Sequence, residues 1–138
     1  MAIVEIVREP PDINDVVEEM RGTSGREGAI VAFLGFVKRI VGDELVTRFE
    51  FKTSSLEEAV EELKSIAERE ESNGVTEVRI YHRIGVLEPG SPTLYVFVKA
   101  VNRKLAFRAA ERIVDALKEM RSIRIVEDRV KLSSQGSS

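Results

Sequence analysis

The order of apolar and polar residues along the chain predicts alternating strands and helices. Residues 2–8 predict a first strand, which Pro10 and Pro11 end because proline lacks a backbone N–H and restricts the residue before it. Asp12 is a favoured N-cap, and the apolar residues after it recur at the spacing of a short amphipathic helix. Residues 21–27 contain two glycines and predict a loop.

The next two segments predict strands of different kinds. Residues 28–37 are almost all apolar, which is typical of a central strand that is buried on both faces. Lys38 and Arg39 follow this strand, and we therefore expect them at the rim of the protein. Residues 44–52 alternate between two faces and pair back across a turn at residues 41–43. One face carries Leu45, Thr47, Phe49 and Phe51, and the other carries Val46, Arg48 and Glu50.

Two long helices are predicted farther along the chain. Ser55 and Glu58 have the spacing of a capping box, and apolar residues then recur at helical spacing until residues 73–74 end the helix. A second series of helically spaced apolar residues runs from Ala106 to Met120.

The remaining strands complete an α+β fold. They are predicted at residues 75–86, 93–101 and 123–130. Together the elements predict a mixed, mostly antiparallel sheet with two long helices and one short helix. We expect a single domain over residues 1–132, followed by a small, polar and mobile tail at residues 133–138.

Composition and charge restrict the function. The chain has 138 residues, which suits one domain with a real core. Its formal net charge of -3 and pI of about 5.4 argue against a general nucleic-acid-binding protein, so any anion site must be local. No apolar run approaches the roughly 20 residues that span a bilayer, and the N-terminus lacks the pattern of a signal peptide. We therefore expect a cytoplasmic protein.

The chain contains no cysteine and one histidine, His82. The absence of cysteine excludes disulfides, thiolate metal ligands and a cysteine nucleophile. A single histidine argues against a histidine metal site and against a Ser-His-Asp triad. We interpret His82 as a packing or hydrogen-bonded residue of a strand rather than a ligand. Any chemistry must then come from lysine, arginine, aspartate or glutamate.

Basic residues cluster where a predicted strand meets the second long helix. The segment HRIGVLEPG at residues 82–90 is followed twelve residues later by NRKLAF at residues 102–107. A helix start presents unpaired N–H groups and the positive end of the helix dipole, to which Arg103 and Lys104 add two cations. This arrangement suits a phosphate or a carboxylate. The alternative is that both cations are solvated charges of a first helical turn.

Four segments together resemble the large, catalytic subunit of molybdopterin synthase. Their order and spacing fit the family, and the HRIGVLEPG segment is the most specific of them. The resemblance extends from about residue 28 to residue 127. The four segments are GAIVAFLGFVK at residues 28–38, HRIGVLEPG at 82–90, NRKLAF at 102–107 and Leu117-Lys118.

The resemblance implies an α/β hammerhead fold and a sulfurtransferase of molybdenum cofactor biosynthesis. The family takes sulfur from the thiocarboxylated C-terminal glycine of a small ubiquitin-like partner and inserts it twice into cyclic pyranopterin monophosphate, which makes the dithiolene of molybdopterin. Two large subunits form a central homodimer with a small subunit at each end, which gives a heterotetramer. The family needs no metal or redox cofactor.

The resemblance also implies roles for individual residues. Lys118 matches a catalytic lysine, and Arg103 matches the arginine of a His-Arg pair in which Asn102 replaces the histidine. Lys38 matches a basic residue, usually arginine, after the glycine-containing strand. We therefore expect Lys118 and Arg103 to be catalytic. The expected substrate-binding residues are Lys38, Arg39, Asn102, Lys104 and Arg124.

Lys118 has two possible chemical uses. A free lysine is protonated near neutral pH, so it can donate a proton or hold an anion. Action as a base or nucleophile needs neighbouring cations that favour the neutral amine. The alternative is a lysine that is merely favoured by the negative end of the helix dipole.

The chain departs from the family after the second long helix. The family continues with a Pro-aromatic-Trp-Lys segment that holds a second functional lysine, whereas this chain has SIRI at residues 122–125, with Ile125 at the lysine position. Arg124 lies one residue earlier, so its side chain faces the other side of the strand unless the register slips or a bulge intervenes. The chain has no tryptophan, and the family's basic tail is reduced to Arg129 and Lys131.

Three interpretations remain open at this stage. The chain is a divergent but active large subunit, a paralogue that keeps the dimer and the partner but catalyses poorly, or an unrelated α+β ligand-binding domain. For the first we expect Lys38, Arg103 and Lys118 to surround one positively charged pocket. We also expect a homodimer, because residues 28–37 and 44–52 offer more apolar surface than a domain of this size needs.

Overall fold

Three helices and eight strands form in residues 2–22, 24–72 and 74–132, the part of the chain that this computed structural model describes. The α+β class with two long helices and one short helix is confirmed. Residue 73 and the predicted tail at residues 133–138 lie outside the described residues. In chain order the elements are β1 (Ala2–Val7), α1 (Ile13–Arg21), β2 (Ala29–Phe36), β3 (Ile40–Val41), β4 (Glu44–Lys52), α2 (Leu56–Glu70), β5 (Val75–Arg83), β6 (Gly85–Leu87), β7 (Pro92–Ala100), α3 (Arg103–Lys118) and β8 (Arg124–Lys131).

Side-chain caps begin the three helices. The capping residues Asp12, Ser55 and Asn102 each accept the backbone N–H three residues later, at 3.0 to 3.1 Å. These bonds satisfy N–H groups that a helix start leaves unpaired. Of the predicted capping box of α2, the bond from the N–H of Glu58 to Ser55 Oγ forms. The reciprocal bond to the Glu58 side chain is replaced, because the N–H of Ser55 donates to Thr53 Oγ1 at 3.2 Å.

The first sheet has the strand order β1-β5-β7-β2, with β1 parallel to β5 and the other pairs antiparallel. The prediction of a buried central strand at residues 28–37 is wrong, because β2 is an edge strand on which Phe36 is 56% exposed. One face of β2 packs towards α3 through Ala29 and Val31, and the other packs towards α1 through Ile30. The apolar composition of residues 28–37 thus indicates that both faces of β2 are covered, but it does not indicate whether the strand lies at the centre or at the edge of the sheet.

Helices cover both faces of the first sheet. Helices α2 and α3 lie on one face, where Leu63, Ile113 and Val98 belong to the largest cluster of buried apolar residues. Helix α1 lies on the other face, where Met20 packs with Phe97. Burial of these apolar side chains is the main stabilising contribution to such a layered fold.

The strand predicted at residues 75–86 is interrupted, and at the interruption the chain passes from the first sheet to the second. Strand β5 ends before Gly85, whose φ of 99° lies in the left-handed region that favours glycine. Strand β6 then pairs with β4 in the second sheet. Strand β4 is the centre of that sheet, with β8 along one side and β3 and β6 along the other.

A β-bulge at Thr47 changes which residues of β4 face the interior. The register of β4 against β8 shifts at this point, and Thr47 Oγ1 donates a hydrogen bond to the carbonyl oxygen of Asp128 at 3.2 Å. Val46 is therefore buried together with Phe49 and Phe51. The predicted alternation, which put Thr47 on the same face as the two phenylalanines and Val46 on the other, is wrong here because a bulge inserts one residue.

Candidate functional site

A cleft of about 550 Å³ lies where the end of β2, the C-terminal end of α3 and the inner face of the second sheet meet. Its lining is largely apolar, and a few ionisable side chains project into it. An apolar cleft with a few polar groups is the usual form of a small-molecule site. The ionisable lining residues are Lys38, His82, Lys118, Glu127 and Arg129.

Lys118 is the last residue of α3. The adjacent Leu117 is buried and anchors this end of the helix, while Lys118 itself is exposed in the cleft. The carbonyl end of a helix favours a cation. The following turn is held by Glu62 of α2, whose carboxylate accepts the N–H of Arg121 at 3.1 Å and that of Ser122 at 2.9 Å. These bonds fix the start of β8 relative to Lys118.

Lys38 enters the same cleft from the end of β2. The preceding residue, Val37, is buried; its N–H donates to the carbonyl oxygen of Ser91 at 2.9 Å and its carbonyl oxygen accepts the N–H of Gly90 at 2.7 Å. Gly90 has a φ of 91°, which favours glycine. The Pro-Gly turn at the end of the HRIGVLEPG segment thereby positions Lys38.

Both lysines are available to a ligand. Within the described residues, neither Lys38 nor Lys118 has an ion pair or a side-chain hydrogen bond. The cleft floor next to them contains Phe49 and Phe51, whose rings meet edge to face at 5.0 Å. Attraction between charges is stronger beside such apolar groups than in bulk water. The cleft therefore suits an anion that carries an apolar body.

His82 lies in the wall of the cleft but is only 2% exposed. Its Nδ1 is 2.7 Å from the carbonyl oxygen of Arg83, and its ring meets that of Phe51 edge to face at 4.7 Å. Burial lowers the pKa of His82 below its ordinary value, despite the opposing effect of this hydrogen bond. A neutral, packed imidazole agrees with the interpretation of His82 as a structural residue.

Glu127 and Arg129 are cleft residues that the sequence did not identify as a site. They share one face of β8 with Ile125, opposite Phe49 and Val46 of β4. Arg129 Nη2 contacts Glu127 Oε1 at 2.8 Å. Successive side chains of a strand point to opposite faces, so every second residue after Ile125 lies in the cleft. This alternation is the sequence signal that could have identified Glu127 and Arg129.

The expected convergence of Lys38, Arg103 and Lys118 around one pocket does not occur within this single chain, where Arg103 is absent from the cleft lining. Arg103 and Lys104 begin α3 and Lys118 ends it, so about 22 Å of helix separates them at about 1.5 Å per residue. Arg103, Lys104 and Asn102 are exposed at that far end. The Asn102 side chain is used as the helix cap, as described above.

Arg39 and Arg124 also lie outside the cleft lining. The guanidinium of Arg39 lies against Gly90. A Cβ atom added to Gly90 would be 3.1 Å from the Nε of Arg39. Arg124 pairs with Lys52 in regular register and lines a separate groove of about 520 Å³. Since the bulge in β4 lies at the opposite end of this strand pair, nothing turns Arg124 towards the cleft, and Ile125 occupies that position. A register slip or a bulge at Arg124 was the condition for it to replace the second lysine, and neither is present at this end of β8.

In the ranges 2–22, 24–72 and 74–132, no group of three or more His, Asp or Glu residues is arranged to hold a metal ion. Within the same ranges no helix is long and apolar enough to cross a membrane.

Comparisons with known sequences identify relatives of the chain. The profile of the MoaE protein family matches residues 6–120. The molybdopterin synthase catalytic subunit of Pyrococcus abyssi (strain GE5 / Orsay) is 34% identical over 119 residues, which cover 84% of this chain and 78% of that protein. The molybdopterin synthase catalytic subunit of Bacillus subtilis (strain 168) is 29% identical over 117 residues, which cover 84% of this chain and 73% of that protein.

Solved structures agree with the sequence relatives. Molybdopterin synthase from Staphylococcus aureus superposes with a TM-score of 0.77 at 27% identity, covering 90% of this chain and 89% of that one. A Helicobacter pylori 26695 complex of subunits 1 and 2 of molybdopterin-converting factor has a TM-score of 0.64 at 18% identity, covers 97% of this chain and 96% of that chain, and supports the fold alone. The chain therefore belongs to the MoaE family, the catalytic subunits of molybdopterin synthase in molybdenum cofactor biosynthesis.

Proposed function

We propose that this chain catalyses the sulfur transfer of a molybdopterin synthase at the cleft that holds Lys38 and Lys118. Sulfur passes from the thiocarboxylated C-terminal glycine of a small ubiquitin-like partner to cyclic pyranopterin monophosphate, and two transfers build the dithiolene. Both reactants are anionic, and the flat face of the pterin ring system can lie on an apolar surface. The observation that carries the proposal is the pair of unpaired lysines above an apolar floor in one cleft.

The two lysines have different tasks in this proposal. Lys38 holds the phosphate, since it lies on a strand end that hydrogen bonds fix in place. Lys118 holds the oxygen that leaves the pterin carbon under attack by sulfur and donates a proton to it. Water then cleaves the carbon–sulfur bond of the partner, whose terminus is left as an ordinary carboxylate.

The partner is proposed on chemical grounds. The solved Helicobacter pylori structure is a complex between two subunits of molybdopterin-converting factor. In this chain the rim of the cleft includes the exposed residues Lys38, Lys118 and Ile125. An extended C-terminal tail fits such an opening, and its terminal anion pairs with the lysines. No cofactor enters the proposed reaction.

Arg103 takes part in this proposal only through a second copy of the chain. About 22 Å of helix separates it from Lys118 in the same chain, which is too far for a shared ligand. The proposed homodimer, the core of a heterotetramer, would have to bring Arg103 and Lys104 of one copy to the cleft of the other. Light scattering should give a dimer mass at micromolar concentration, and a monomer mass would remove Arg103 from the site.

A second function is favoured by one observation. Ile125 projects into the cleft at the position of the family's second lysine and is 57% exposed, so the cleft lacks a cation there. The alternative is therefore a catalytically impaired paralogue that binds the small partner as a dimer.

Reconstitution separates the two functions. Purified chain is mixed with thiocarboxylated small partner and the pterin precursor, and dithiolene product is measured together with partner binding. An active synthase gives both binding and product. Binding without product identifies the paralogue, and the absence of both contradicts the two proposals together.

A further inference from the structure

We propose that Arg129 keeps the carboxylate of the cleft, Glu127, from neutralising Lys38 and Lys118. Arg129 is a positioning residue in this proposal, since it acts through Glu127 and need not touch the substrate. The inference rests on the proposed function, because the two lysines matter only if an anion binds between them.

Glu127 is the reason that such a device is needed. Among the described residues that line the cleft, it is the one carboxylate, and it shares that cleft with Lys38 and Lys118. A carboxylate free to move in a cleft with two unpaired ammonium groups would pair with one of them. It would then compete directly with an anionic substrate. In the structure both lysines remain without an ion pair among the described residues.

Arg129 holds Glu127 by a short, charge-assisted bond. The distance from Arg129 Nη2 to Glu127 Oε1 is 2.8 Å, and both side chains are partly buried. The two residues lie on the same face of β8, two positions apart, so the strand itself sets their separation. A guanidinium binds a carboxylate more firmly and more directionally than an ammonium does.

A second carboxylate fixes the orientation of Arg129. Arg129 Nη1 lies 3.4 Å from Glu44 Oε1 on the neighbouring strand. The bulge at Thr47 makes this contact possible, because it shifts the alternation of β4 and brings Glu44 and Val46 to the same side as Phe49, the side on which Glu127 and Arg129 of β8 also lie. The bulge therefore positions Glu44 to orient Arg129, and Arg129 in turn holds Glu127.

The neutralising effect of Glu127 can be measured without turnover. The probe is inorganic phosphate, titrated into the purified chain and followed by NMR of the lysine side chains. We expect Arg129→Gln to weaken phosphate binding about tenfold, which is the effect of one lost pairing interaction of ordinary size. The double variant Arg129→Gln/Glu127→Gln should bind within twofold of the unmodified chain, because the competing carboxylate is gone. Glu127→Gln alone should bind at least as tightly as the unmodified chain.

Two variants control for structural effects. Arg48→Gln breaks the matched arginine–carboxylate pair of β4, Arg48 Nη2 to Glu50 Oε1 at 3.0 Å, which does not line the cleft. It should leave phosphate binding unchanged. Arg129→Lys keeps a cation beside Glu127 and should retain most of the binding, which covers the case in which Arg129→Gln folds poorly.

The outcomes decide the proposal. Phosphate binding that is unchanged in Arg129→Gln, or as weak in the double variant as in the single one, would overturn it. The second result would mean that Arg129 contacts the anion itself. A chain that does not bind phosphate would also contradict it. If the phosphate results follow expectation but reconstitution gives no dithiolene, the role of Arg129 stands and the proposed sulfur transfer fails.

Discussion

Removal of Glu77 should destabilise the fold far more than removal of Glu19, although both carboxylates contact Arg79. Arg79 is buried beneath α1, with its Nε 2.6 Å from Glu77 Oε2 and its Nη1 2.6 Å from Glu19 Oε1. Lys99 Nζ lies 3.4 Å from Glu77 Oε1 and donates to the carbonyl oxygen of Met20 at 2.7 Å. Glu77 therefore serves two cations between the sheet and α1.

The magnitudes follow from burial. The Glu77 side chain is 10% exposed, and Glu77→Ala leaves two largely buried cations short of a partner; breaking a buried pair in this way costs about 3–5 kcal/mol. Because Arg79 keeps Glu19, we expect the lower end, about 3 kcal/mol. Glu19 is 62% exposed, and Glu19→Ala should cost about 1 kcal/mol or less. With an unfolding entropy of about 2.1 cal/mol/K for each of 138 residues, these values correspond to about 10 °C and about 3 °C in Tm.

Thermal unfolding by circular dichroism, with urea unfolding as a second measure, tests the difference. Both variants should retain the helix content of the unmodified chain before they unfold. Equal destabilisation by the two substitutions, or a Glu77→Ala cost below 1 kcal/mol, would refute the assignment of Glu77 as the shared partner of Arg79 and Lys99.

The remaining predictions concern the cleft. Ile125→Lys should raise kcat/KM in reconstituted sulfur transfer about fivefold, because one exposed ionic contact contributes about 1 kcal/mol; an unchanged rate would contradict a need for a cation there. Arg124→Ala should leave kcat/KM unchanged, since Arg124 lines a different groove, and a marked loss would show that it reaches the substrate. Because burial lowers the pKa of His82, the folded chain resists its protonation. Stability is then full above the unfolded pKa of about 6.5 and falls by up to about 1.4 kcal/mol per pH unit below it. The loss of stability that protonation of His82 causes between pH 7 and 5 should be absent from His82→Gln. Identical pH profiles of stability for the unmodified chain and this variant would contradict the prediction.

Much of the fold was readable from local patterns. The helix starts at Asp12, Ser55 and Asn102 and the long apolar helical faces depend on residues close in sequence, so periodicity and capping chemistry identify them. The family resemblance likewise placed Lys38 and Lys118, which the structure brings into one cleft.

Other features depend on contacts that no local pattern records. The edge position of β2 is decided by which strands take the centre of the sheet, and the bulge at Thr47 is decided by the pairing of β4 with β8. The distance between Arg103 and Lys118 followed from the predicted helix itself, at about 1.5 Å per residue. A single-chain pocket containing both was therefore incompatible with the helix that the same sequence predicted.

The central claim is that Lys118 performs chemistry in sulfur transfer, and its most direct test is dithiolene formation by Lys118→Ala and Lys118→Arg in the reconstituted system. Lys118→Ala should lower the rate by about 10²–10⁴-fold, the usual contribution of a positioned proton donor, while the fold remains intact because the side chain is exposed at a helix end. Lys118→Arg should fail as well, since arginine keeps the charge but does not release its proton near neutral pH. Dithiolene formation by Lys118→Ala at the unmodified rate would contradict the claim.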